Sequence, residues 1–113
     1  VQLVEYSNDQ IIDRYAGPKA WDDGRFERIR FRNGYGASII TGGMSYGGKM
    51  GLLEIAVIRF RSESNDDFEL CYDTHITSDV LGHLSADQAR GILDQIAALP
   101  PDAQALGGAQ LGE

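Results

Sequence analysis

Polar and apolar residues alternate most clearly over residues 26–32, where Ile29 and Phe31 face one way and Arg28, Arg30 and Arg32 the other. That period of two marks a strand with one buried side. Asn33-Gly34 follows, a pair that tolerates positive φ at both positions, and it predicts a type I′ turn into a second strand over Tyr35–Thr41. Over residues 52–60 the apolar side chains of Leu52, Leu53, Ile55, Ala56, Val57, Ile58 and Phe60 occupy both parities, so this strand is central and covered on both faces. Its β-branched residues and bordering glycines favour a strand over a buried helix. Residues 68–73 alternate again, with Phe68, Leu70 and Tyr72 on one side and Glu69, Cys71 and Asp73 on the other. The polar stretch 62–67 joins them to the central strand as a second hairpin.

The apolar period lengthens after Ser85. Ala89, Ile92, Leu93, Ile96 and Leu99 form one stripe at helical spacing, Ser85 and Gln88 make a capping box, and Pro100-Pro101 closes the segment. This predicts a helix over 86–99. Near the start, residues 1–6 read as an edge strand. Ser7 and Gln10, followed by Ile11, Ile12 and Tyr15 and stopped by Gly17-Pro18, predict a short helix over 8–16, with a strand through Ile11 and Ile12 as the rival. Residues 17–25 read as a loop whose Trp21 folds back on the core edge. Residues 75–84 read as an extended crossover with one turn at 78–81. The elements together predict an α+β fold: an antiparallel meander sheet of four to five strands packed on a C-terminal amphipathic helix. One domain spans 1–100 and a tail spans 101–113.

Charge refines this picture. The net charge of −7 is unevenly spread: residues 25–61 carry seven bases and two acids, whereas residues 62–113 carry ten acids and Arg90 alone as a base. The overall sign disfavours general binding to a nucleic-acid backbone. There is no run long enough to span a membrane and no signal-peptide pattern at the start. A single cysteine, Cys71, excludes an intrachain disulfide and fits a reducing, cytoplasmic setting.

Candidate chemistry concentrates in the basic segment. Arg28, Arg30 and Arg32, with Arg59 and Arg61, place like charges on a sheet, where they repel unless something anionic lies across them. Acids of the same chain or an external anion, such as a nucleotide, would serve. Residues 42–51 form a glycine-rich connection carrying Met44, Tyr46, Lys49 and Met50, residue types that suit a contact surface. No phosphate-binding fingerprint is present, since Gly48-Lys49 is followed by Met50. Cys71, Asp73, His75, Asp79 and His83 include metal-ligand types, but C-x3-H-x7-H matches no common zinc signature, and no cofactor is expected. The reading favours a binding protein over an enzyme, with Arg28, Arg30, Arg32, Met44, Tyr46, Lys49, Arg59 and Arg61 as contact residues and a metal-dependent enzyme using Asp73, His75, Asp79 and His83 as the lowest-ranked alternative. A sheet with an exposed edge or face also allows a homodimer.

The string NGYGASII, the pattern GG-x-x-GL-x-E-x-AV from Gly47 to Val57, and LCYDT-x-IT-x-DV-x-G-x-L over residues 70–84 resemble small uncharacterised proteins of tailed bacteriophages and prophages. The resemblance covers about Phe31 to Leu99. It implies an accessory factor acting in the host cytoplasm, one that binds and disables a host protein complex such as a CRISPR effector or other defence machinery. It transfers no catalytic residue.

Overall fold

The computed structural model describes residues 3–18, 24–41, 52–77 and 79–102. Among the described residues six strands and one helix follow in chain order: β1 (Ile11–Pro18), β2 (Arg25–Phe31), β3 (Tyr35–Thr41), β4 (Leu53–Phe60), β5 (Phe68–Leu70), β6 (Leu81–Leu84) and α1 (Ala86–Ala97). All pairings are antiparallel, in the order β1-β2-β3-β4-β5, with β6 also on β4. The α+β meander expected from the hydrophobic pattern is therefore present. β5 and β6 share one flank of β4: β5 pairs with its C-terminal half and β6 with its N-terminal half.

The register sorts the sheet into two faces. On one, Ile29, Ala37 and Val57 form a row, and Glu27, Ile39 and Ile55 form the next. Each of these side chains is almost wholly buried, beneath the stripe of α1 made by Ala89, Leu93, Ile96 and Ala97. A twelve-residue helix is marginal alone, and burying Leu93 and Ile96 contributes roughly 1.5–3 kcal/mol each. Ser85 accepts the Gln88 N–H while the Gln88 side chain accepts the Ser85 N–H, so the capping box forms as read. The opposite face carries Tyr15, Phe26, Arg28, Arg30, Ile58, Phe60 and Phe68, with no helix over it among the described residues.

The β2–β3 turn differs from the expected type I′ form. Gly34 alone takes a left-handed conformation, with φ of 90°, and its N–H donates to Phe31 C=O at 3.2 Å. The connection is thus a three-residue loop with a glycine bulge. Asn33 keeps an ordinary φ because its side chain has another task. Its Nδ2 donates to the carbonyls of Ile96 at 2.8 Å and Leu99 at 3.0 Å, while its Oδ1 accepts the Tyr35 N–H at 3.0 Å. The hairpin therefore satisfies the C-terminal carbonyls that every helix leaves open.

Five further expectations are corrected. Residues 8–16 are not helical: Ile11 N–H donates to Asn8 C=O in a turn, and β1 follows, bulged at Ile12. Residues 3–6 form no strand. Val4 and Tyr6 instead join the core, tied by Arg14, whose Nη atoms donate to Tyr6 C=O at 2.5 Å and Val4 C=O at 3.2 Å. Residues 81–84 form a strand where a crossover was expected, its alternation broken by His83, which has φ of 57°. The helix stops at Ala97 and not at residue 99. Asp102, assigned to the tail from sequence, is buried, and its N–H donates to Asn33 C=O at 2.8 Å. Trp21 lies outside the described residues. No helix is long and apolar enough to cross a membrane among the described residues.

Candidate functional site

The open face of the sheet holds two of the expected arginines in aromatic surroundings. Arg28 lies between two rings, its guanidinium 4.5 Å from the centroid of Phe26 and 4.7 Å from that of Phe68. Its Nη1 donates to Asp66 at 2.8 Å, and its Nε is buried with no hydrogen-bond partner. Arg30 lies 3.9 Å above the Phe60 ring and donates to Ser64 C=O at 3.3 Å. Burial works against the Arg30 charge and lowers its pKa, with Asp13 and Glu63 offsetting part of that effect. Residues 61–67 thus return across this face and supply Glu63 and Asp66, with Asp13 of β1 as the third anion. The stems and rings of the arginine layer, with this loop, leave Ile58 and Phe60 buried without a helix above them.

The remaining expected arginines are elsewhere. Arg32 sits exposed in the turn and donates to Asp9 C=O at 3.3 Å. Arg61 is 60% exposed, near Asp67 at 3.5 Å and Glu69 at 3.8 Å. Arg59 projects from the opposite face, because its register parity is that of Ile55 and Val57. It is therefore not part of one arginine surface with Arg28 and Arg30. Met44, Tyr46 and Lys49 lie outside the described residues.

Arg59 anchors a second cluster. Its Nε pairs with the buried carboxylate of Asp102, Nη1 with Glu69 at 3.2 Å and Nη2 with Asp73 at 3.6 Å. Burial opposes its charge, but hydrogen bonds to Asp102 and Glu69 outweigh that and raise its pKa. Tyr35, whose ring lies 6.0 Å away, is raised by burial and by Asp102. Cys71 donates its thiol proton to Asp73 at 2.9 Å. Burial, followed by that carboxylate, pushes the thiol up to about 11. The thiol is consequently protonated near neutrality, the opposite of an activated nucleophile.

His75 and His83 are exposed while Cys71 is buried. Among the described residues no three His, Cys, Asp or Glu side chains are disposed to hold a metal ion. The sequence reading missed a third charged cluster. Glu27, 1% exposed, accepts Arg14 Nε at 2.6 Å and Leu3 N–H at 3.1 Å. One signal was legible: Glu27 shares the inward parity of Ile29 and Phe31, and a carboxylate there needs a cation.

Both clusters on the helix side tie separate segments together, Glu27 with the N-terminal residues and Arg59 with Asp102. The open face carries Arg28 and Arg30, both half-buried, and the half-exposed ring of Tyr15. No protein-family model matches this chain, and neither the curated proteins nor the solved structures yield a match.

Proposed function

We propose that the chain is a non-enzymatic accessory protein of the bacteriophage type, acting in the host cytoplasm by binding a host protein complex through an acidic surface. The observation that supports this reading is how the fold distributes charge. Glu5, Asp9, Asp13, Glu63, Asp66, Asp73, Asp79, Asp87 and Asp94 are exposed, whereas only Arg25, Arg32 and Arg61 are exposed among the described bases. Arg14, Arg28, Arg30 and Arg59 are partly or fully buried and engage groups of this chain. Exposed acids therefore outnumber exposed bases nine to three among the described residues. Such an excess steers the chain toward a basic surface of the kind that nucleic-acid-handling complexes, CRISPR effectors included, expose, and it competes there with phosphates.

The test is capture of the host complex on immobilised protein at low salt, followed by elution with salt or competing nucleic acid. Asn substitutions at Asp79, Asp87 and Asp94 should lower recovery at least about tenfold, the change that 1.4 kcal/mol produces. No recovered complex, or one indifferent to salt and to those substitutions, would remove the reading. The alternative, a nucleotide or small-anion site on the arginine face, has weaker support because Arg28 and Arg30 already face Asp66, Asp13 and Glu63. A nucleotide that raised the melting temperature at millimolar concentration would restore it.

A further inference from the structure

Among the described residues β1 ends the sheet, pairing with β2 alone. The orientation of its free backbone groups follows from the adjacent hairpin. Phe31 C=O accepts the Gly34 N–H, so Phe31, and with it Ile29 two residues earlier, directs its hydrogen bonds to β3. Arg14 stands opposite Ile29, and Ala16 stands opposite Glu27, which has the same phase. Both therefore turn their N–H and C=O groups away from the sheet. Pro18 completes the outward set and brings no N–H. The Arg32 N–H donated to Gln10 C=O at 2.8 Å fixes the same phase beyond the bulge.

An edge of this kind invites another strand. Asp13 blocks it: its Oδ1 accepts the Arg14 N–H at 2.9 Å, occupying the donor an incoming strand would need. We propose that Asp13 holds closed a self-pairing edge, and that the strand it excludes is β1 of a second copy, antiparallel about a two-fold axis at Tyr15.

Self-complementarity selects both the occupant and the register. With Tyr15 opposite itself, Arg14 and Ala16 face one another twice, and their outward groups make four backbone hydrogen bonds across the axis. Large residues then meet small ones, Arg14 against Ala16 and Asp13 against Gly17. Tyr15, 47% exposed, meets its copy in the close, non-hydrogen-bonded position that favours aromatic pairs. The neighbouring registers fail. One sets Arg14 against Arg14, a like-charge pair; the other sets Arg14 against Pro18, which has no N–H to give.

Sedimentation of the full chain tests this across a concentration series, with circular dichroism confirming that each variant is folded. The native chain should sediment as a 12.4 kDa monomer. Asp13→Ala should form a reversible dimer with a dissociation constant at least about tenfold lower than any the native chain shows. Asp13→Asn retains an acceptor oxygen and should stay monomeric although its charge is gone. Adding Tyr15→Lys to Asp13→Ala should restore the monomer. The proposal is overturned if Asp13→Ala associates no more than the native chain, if Asp13→Asn dimerises equally, or if Tyr15→Lys fails to reverse the effect.

Discussion

The two faces of the sheet treat positive charge differently. Beneath α1, Arg14 meets Glu27 and Arg59 meets Asp102, and both carboxylates are almost fully buried, with side-chain exposures of 1% and 5%. On the open face, Arg28 and Arg30 lie over aromatic rings, and the carboxylate that Arg28 reaches, Asp66, is 82% exposed. Removing one member of a buried pair strands a charge that cannot be rehydrated, whereas an exposed partner is readily replaced by water. The helix side therefore fixes which segments come together. The open side has freedom to change its surface at small cost to the fold.

The sharpest test of that contrast is Arg14→Met, which leaves Glu27 buried and unpaired. It should cost about 3–5 kcal/mol in urea unfolding, and a loss below about 1 kcal/mol would mean that the two faces are equivalent. The base of the open face should be nearly as intolerant, because packing and not charge governs it. A Cβ at Gly36 would lie 2.5 Å from Ile29 C=O and also strike the Phe60 ring, so Gly36→Ala should cost about 1–3 kcal/mol. An unchanged unfolding midpoint would show that Phe60 moves freely.

Asn33→Ala should lose about 1–2 kcal/mol, because several buried carbonyls at the end of α1 lose their donor together. Hydrogen exchange should then rise in the last turn of α1 as well as in the β2–β3 turn. If only the turn responds, Asn33 does not hold the helix.

Alkaline pH offers a subtler comparison. The Cys71 thiol, ordinarily near 9.0, is raised to about 11 in the folded chain, so the native state keeps its proton where the unfolded state has lost it. Stability from this group is complete below 9.0 and falls as pH climbs from there toward about 11. Cys71→Ala should remove that part of the decline, visible as a flatter stability profile. At the bottom of the scale, Asp66→Asn should change stability by less than about 0.5 kcal/mol. A larger loss would place the 61–67 loop among the elements that fix the fold.

Alternation made β2 legible, an unbroken apolar run made β4 legible, and a helical period made α1 legible. β1 was concealed by its own irregularity: the bulge leaves Ile11 inward and Ile12 exposed, and with Tyr15 this mimics the i, i+1, i+4 spacing of a helix. His83, in a left-handed conformation, broke the alternation of β6 in the same way. Arg28 and Arg30 were placed correctly because β2 has apolar residues on one parity only. Arg59 was not, since β4 is apolar on both parities and marks no side. Glu27 and Arg14 escaped notice as a pair because the β1 bulge disguised the strand that brings Arg14 alongside.

Asn33 has a consequence for biosynthesis. Its carboxamide waits for Ile96 C=O, 63 positions further along the chain. A ribosome will have extruded the hairpin long before the helix that this corner serves exists. Until the end of α1 has itself been made, the amide must be content with water, so this corner of the fold closes only after the helix it serves has been synthesised.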